Sequence, residues 1–300
     1  MRDTVPRLSE DPRALEALSR VRVLYTDLDG TLVAPGGSVL ADASGAPSVV
    51  VADAIVRIAS AGLDVVPVSG RNRLQLREVA QLLGWKAYIA EAGAIVVHGL
   101  GFDAEVRFDC GTWPDGSVPE GVTPFEMIVE SGAYEALVEA FPGRIEHYAP
   151  WQLEREASLL LRGCLDVREG QAVLDALALP LDLVDNGMLR SHGTLTCRDM
   201  APHAYHVVPK GVSKARAIAR DLEWRGLARE QAAAIGDSAT DLEMADAVGV
   251  MALVGNAFES PGVLSELART GRTNVWRTTA VRCEGWAEFA RAWTAAVATR

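Results

Sequence analysis

Apolar runs in this chain repeatedly stop at polar turns. Val21 to Thr26 is a short, β-rich apolar run that ends at Asp27-Leu28-Asp29-Gly30, as a buried strand entering a turn does. Leu63 to Val68 is a second such run and ends at Ser69-Gly70-Arg71; Ala232 to Ile235 is a third and ends at Gly236-Asp237-Ser238. Helical spacing separates them. Pro12 to Arg20 reads as a short helix. Val49 to Ala61 carries Ile55, Ile58 and Ala59 on one face. Leu74 to Leu83 is a helix closed by Gly84, and Val212 to Trp224 and Thr240 to Ala247 are further helices. Ala87 to Ala90, Ala94 to Val97 and Gly249 to Ala252 complete the strands. This alternation predicts an α/β fold, a Rossmann-like doubly wound parallel sheet with helices on both faces. Ligands of such sheets lie beyond the carboxyl ends of the strands, where all three polar turns fall.

The pattern changes in the middle. Residues 111 to 124 are rich in Gly and Pro. Strands at Ser158 to Leu161, Leu181 to Val184 and Thr194 to Cys197 then surround helices at Ala133 to Phe141 and Glu169 to Leu177. The expected organisation is a core of residues 1–98 and 203–300, interrupted by an inserted α+β cap at 99–202. A chain of 300 residues is long enough for two such domains.

Composition narrows the partners. With 49% hydrophobic and 23% charged residues the chain is globular, and a net charge of −11 argues against nucleic acid and anionic membranes as general partners. A local cation or lysine can still reverse the field inside one pocket. Cys110, Cys164, Cys197 and Cys283 show no zinc-like spacing, and four reduced thiols are the expectation. The N-terminus lacks the apolar segment of a signal peptide, and no run approaches the roughly 20 residues of a membrane span, so a cytoplasmic protein is expected. Oligomeric state is unreadable from the sequence.

The polar turns carry the candidate chemistry. Asp27 and Asp29, two residues apart past a buried strand, can converge on one cation when Gly30 lets the turn curl. A hard ion such as Mg²⁺ suits such oxygen ligands. One carboxylate can attack phosphorus while the other handles protons. Taken alone, Asp-x-Asp-Gly also fits a surface turn. Ser69, with the Gly70 N–H, can hold a phosphate at a strand-to-helix turn, or simply cap a helix. Asp237 and Asp241 add two acids after the third strand. Lysine is scarce, and Lys210 and Lys214 stand in Pro-Lys-Gly-Val-Ser-Lys, where a lysine can neutralise a phosphoryl group.

The four pieces, in this order, resemble the haloacid dehalogenase superfamily, in particular its Cof-type, sugar-phosphatase-like members with a large α+β cap. Asp27 to Thr31 matches DxDGT, Ser69 the Ser/Thr of the second motif, Lys214 the lysine of the third, and Gly236 to Met244 the GDSxNDxxM of the fourth. Val254-Gly255-Asn256-Ala257 looks like the family's gNA loop. Two positions depart: Thr240 and Ala92 stand where Asn is usual. The resemblance implies a Mg²⁺-dependent phosphatase acting on a small phosphorylated metabolite, such as a sugar or polyol phosphate. In it Asp27 is the nucleophile, forming an aspartyl-phosphate, and Asp29 the acid and then base. Ser69, Gly70 and Lys214 bind phosphate; Asp27, Asp29 (through its carbonyl), Asp237 and Asp241 form the metal site. Arg71, Thr240, Asn256, Arg190 and His192 are candidate substrate contacts, and Arg155 and Arg162 possible cap contacts. A phosphomannomutase-like mutase and a catalytically silent ligand-binding module are the competing readings.

Overall fold

The structure is a computed structural model that describes residues 4–299. In chain order its strands are β1 (Val23–Thr26), β2 (Asp64–Pro67), β3 (Ala87–Ala90), β4 (Ile95–His98), β5 (Glu105–Phe108), β6 (Ile145–His147), β7 (Leu159–Gly163), β8 (Leu181–Met188), β9 (His203–Pro209), β10 (Ala232–Gly236), β11 (Val250–Leu253) and β12 (Val275–Arg277). Its helices are α1 (Pro12–Leu18), α2 (Val50–Ser60), α3 (Arg73–Leu83), α4 (Pro124–Glu130), α5 (Ala133–Ala140), α6 (Val167–Leu174), α7 (Lys214–Arg225), α8 (Ala239–Leu242), α9 (Pro261–Thr270) and α10 (Arg282–Ala298). Contacts divide the chain into two compact units. One comprises residues up to Ser69, Val79–Tyr88 and residues from Lys214 onward; the other comprises Gly70–Glu78 and Ile89–Ser213.

The first unit is built on a five-stranded sheet in the order β12-β11-β10-β1-β2, with every neighbouring pair parallel. Strands β1, β10 and β11 are buried along their whole length, as strands covered on both faces must be. This is the expected α/β architecture. On α2 the buried stripe is Val51, Ala54 and Ile58; Ala59, expected on the apolar face, is exposed. Helix α10 packs on α1 and α2 and buries Trp286, Phe289 and Trp293. Its indoles do not waste their polar ends: Trp293 Nε1 donates to Val21 O at 3.2 Å and Trp286 Nε1 to Thr26 Oγ1 at 3.0 Å.

The second unit contains an antiparallel sheet in the order β6-β7-β9-β8. Burial alternates along the first half of β8, as in a sheet with one face solvated. Its core joins Ile128, Leu137, Leu159, Leu161, Leu183 and Tyr205. Strand β4 pairs antiparallel with β5, Ile95 opposite Phe108. The stretch Thr194 to Cys197, expected as a strand, is a loop. Thr196 N–H donates to Gly143 O at 2.8 Å, and Thr194 bonds the Glu146 carboxylate, so the segment satisfies its polar groups without a ladder. The third long strand of the sheet is β9, which begins just after it.

The cysteine expectation is corrected in the same place. Cys164, just past β7, and Cys197 form a disulfide across 33 residues, in a small cluster with Leu195. Cys110 and Cys283 remain thiols. The expected helix at Thr240 to Ala247 is the short α8 followed by a 3₁₀ turn, Glu243–Asp246. Among the described residues no helix is long and apolar enough to cross a membrane.

Candidate active site

At the carboxyl edge of the parallel sheet, the turns after β1 and β10 meet the first residue of α7. Lys214 Nζ donates to Asp27 Oδ1 at 2.9 Å and to Asp241 Oδ1 at 2.6 Å. All three side chains are out of solvent: Lys214 is 4%, Asp27 8% and Asp241 1% exposed. Asp237 completes the group, and Asp27, Asp237 and Asp241 each offer an oxygen within 4.8 Å of the others.

Local sequence explains each placement. Ser238 caps α8 and locks Asp241 in a reciprocal box. The Asp241 N–H donates to Ser238 Oγ at 3.2 Å, while the Ser238 N–H and hydroxyl donate to Asp241 Oδ2 at 3.0 and 2.6 Å. Asp237 accepts from Thr31 Oγ1 at 3.1 Å and from Asn256 Nδ2 at 3.0 Å. Asn256 Nδ2 also reaches Gly30 O at 3.1 Å, and its Oδ1 accepts the Arg282 N–H at 2.7 Å. Gly30 has φ +90°, and a Cβ there would strike the Asp237 carboxylate, so the turn requires glycine twice over. Behind Asp27, Thr26 Oγ1 donates to the Asp27 carbonyl at 2.7 Å and is itself held by Trp286.

Three carboxylates share one ammonium. Burial pulls the Lys214 pKa down, but Asp241 and Asp27 outweigh it and hold the amine protonated. Burial likewise opposes ionisation of Asp241, and Lys214 more than offsets this, so its pKa is lowered. The surplus negative charge falls on the other two. Burial, then repulsion from Asp241, pushes Asp27 well up and Asp237 up to about 7. An all-oxygen donor set with two negative charges in excess fits a hard divalent cation, which would reverse both shifts. The Asp29 carboxylate is not one of the clustered acids; that side chain is exposed.

Of the other candidates, Ser69 is buried at the start of the turn after β2. Thr240 Oγ1 lies 2.9 Å from Ser238 Oγ. Gly70, Arg71, Arg190 and His192 belong to the second unit. Arg190 is exposed there, and His192 Nε2 lies 3.2 Å from Met200 O. Sequence reading passed over Thr31 and Ser238 as functional side chains, although both sit inside the matched motifs. It also passed over Trp286, whose role depends on helix packing and leaves no local signal.

A parallel sheet with paired acids and a buried lysine at its carboxyl edge is consistent with a phosphoric monoester hydrolase, and the chain is similar to phosphatases and hydrolases of the haloacid dehalogenase superfamily. A match to the haloacid dehalogenase-like hydrolase family covers residues 185–264. The chain is 28% identical over 240 residues to a phosphoglycolate phosphatase of Methanothrix thermoacetophila, covering 80% of this chain and 86% of that one. It is 28% identical over 238 residues to a phosphoglycolate phosphatase of Metallosphaera sedula, covering 79% and 86%. The fold is similar to that of the sucrose-phosphatase of Synechocystis sp. PCC6803 in complex with sucrose and phosphate, with TM-score 0.59, 14% identity, and coverage of 90% and 97%.

Proposed function

We propose that this protein is a Mg²⁺-dependent phosphatase of a small phosphorylated metabolite, with Asp27 as nucleophile. The observation that carries the reading is the pairing of one buried lysine with both Asp27 and Asp241, beside Asp237. Asp27 attacks phosphorus in line and the ester oxygen leaves, giving an acyl phosphate on Asp27. Asp29 donates the proton that the leaving oxygen needs. It then takes a proton from the water that attacks the phosphorus, which releases orthophosphate and restores Asp27. Lys214, Ser69 and the Gly70 N–H hold the phosphoryl oxygens as charge spreads over them. Asp27, Asp237 and the Asp29 carbonyl would hold the ion, with Asp241 orienting the group. Bound there, Mg²⁺ supplies positive charge that keeps Asp27 ionised and shields it from the anionic substrate.

Substrate choice is assigned to the insert at 99–202, including Arg190 and His192, with Arg71, Thr240 and Asn256 nearer the phosphate turns in sequence. A sugar or polyol phosphate is the proposed substrate class. The names of the relatives in Methanothrix and Metallosphaera add 2-phosphoglycolate as the alternative. The deciding experiment is orthophosphate release from a panel containing sugar phosphates, polyol phosphates and 2-phosphoglycolate, with Mg²⁺, with Ca²⁺ and after chelation. Activity is expected with Mg²⁺ alone, because Ca²⁺ takes more ligands at longer distances and makes a carboxylate bidentate. Full activity in the chelated protein would remove the metal from the reading. Replacing 99–202 by a short linker is expected to reduce metabolite hydrolysis more than Mg²⁺ binding.

A further inference from the structure

Gly70 is enclosed by side chains of its own unit. Its carbonyl accepts a hydrogen bond from Arg155 Nη1 at 2.7 Å. On another side, a Cβ at this position would come within 2.7 Å of both Asn186 Nδ2 and His206 Nε2. Arg155 is 7% exposed, and its remaining bonds go to Trp151 O at 3.2 Å and Ser158 Oγ at 3.3 Å. Glu91, fully buried, is its countercharge. Glu91 accepts the N–H groups of Glu156 and Ala157 at 2.9 and 3.1 Å and the Ser158 hydroxyl at 2.7 Å. Two more bonds tie the same loop to the residues after Gly70. Asn72 Nδ2 donates to Leu153 O at 3.0 Å, and Arg73 Nη2 to Glu156 Oε1 at 2.8 Å.

A buried guanidinium is a costly way to satisfy two carbonyls and a hydroxyl, so its geometry matters. In a trans peptide the N–H points opposite to the C=O. Turning the Gly70 carbonyl into Arg155 therefore removes an acceptor that would repel an anion from the turn. It also directs the Arg71 N–H to the other side of the same peptide plane. A full positive charge behind the carbonyl further polarises that peptide and strengthens its N–H as a donor. Burial pulls Arg155 down to about 10, with Glu91 opposing, so the guanidinium stays charged at neutral pH.

We infer that Arg155 is a positioning residue for the Ser69-Gly70-Arg71 turn, fixing the Gly70–Arg71 peptide so that its N–H and not its carbonyl serves a bound phosphate. This rests on the phosphate role proposed above for that turn, and adds the Arg71 N–H to the Ser69 hydroxyl and the Gly70 N–H. The test uses the full chain with Mg²⁺ and measures orthophosphate binding by calorimetry, together with KM and kcat for p-nitrophenyl phosphate and the half-saturating Mg²⁺ concentration. In Arg155→Met, orthophosphate affinity is expected to fall and KM to rise by about tenfold or more, the worth of one charge-assisted hydrogen bond. Half-saturating Mg²⁺ should stay within about twofold, because the clustered acids of the other unit are untouched. Arg155→Lys keeps the charge but loses the planar fork, and about a threefold loss is expected. Wild-type phosphate affinity in folded Arg155→Met overturns the inference, as does an equal rise in the Mg²⁺ requirement. If the Met variant fails to fold, Arg155→Lys decides, and unchanged phosphate affinity there overturns it. A wild-type protein that binds orthophosphate but turns nothing over defeats the phosphatase reading alone; one that binds none defeats both.

Discussion

At the edge of the parallel sheet three carboxylates crowd one ammonium, whereas in the second unit one carboxylate, Glu91, faces one guanidinium, Arg155. Both clusters are buried, and both use hydrogen bonds from capping or loop N–H groups to hold their acids. They differ in balance. Burial raises acids in both, Glu91 included, but in the first the excess negative charge adds to burial in pushing Asp27 and Asp237 toward protonation, and these two gain by meeting a cation. The second is near neutral and complete in itself, which suits holding a backbone in place. An unbalanced buried cluster marks where a ligand enters, and a balanced one marks what supports it.

The largest expected effect comes from the unbalanced cluster. Asp27→Asn should lower kcat by a factor on the order of 10⁴ or more, since no neighbour can form the same intermediate. The fold should survive, because the change removes one surplus negative charge. Orthophosphate release by the folded variant checks this, and activity within about tenfold of wild type would defeat the assignment.

The balanced cluster should respond in the opposite sense. Glu91→Gln leaves Arg155 buried without its countercharge and should cost about 3 kcal/mol of stability. Urea unfolding measures it. A variant as stable as wild type would show that the neutral amide alone holds the 156–158 loop, and the contrast between the clusters would fail.

The smallest effect is a pH dependence. Asp237 has its pKa raised to about 7 in the fold, against about 4 in an unfolded chain. A raised folded value means the stabilising contribution is present below about 4 and is lost as pH rises through about 7. The metal-free protein should therefore lose stability across that window more steeply than Asp237→Asn does. Saturating Mg²⁺ should flatten the wild-type curve by favouring the ionised form. Parallel pH profiles for the two proteins would mean that the surplus charge does not reside on Asp237.

The helix spacing and the polar strand ends were legible because each is local. The run from Val21 to Thr26 before Asp27, and the one from Ala232 to Ile235 before Gly236-Asp237-Ser238, need no distant partner to be recognised. Thr194 to Cys197 misled because its apolar pattern suits a strand, yet its backbone is satisfied by Gly143 and its cysteine by Cys164. Ala92 sits at φ +59°, a left-handed conformation that costs a non-glycine residue about 1 kcal/mol and that Asn tolerates better. The sequence shows the unusual alanine there but not the strain.

By itself, then, the sequence determined the α/β class, the order of the core elements from α1 to β4 and from α7 to β11, and which acids follow strand ends, because strand periodicity and turn chemistry act within a few residues. Only the tertiary structure decided that Lys214 bridges Asp27 and Asp241, residues 187 and 27 positions away. It alone chose Asn256 to hold Asp237 and Gly30 together, paired Cys164 with Cys197, and buried Arg155 against the carbonyl of Gly70, 85 residues earlier. These are contacts between segments brought together by packing, and a charge, a thiol or an amide carries no local mark of the partner that packing will give it.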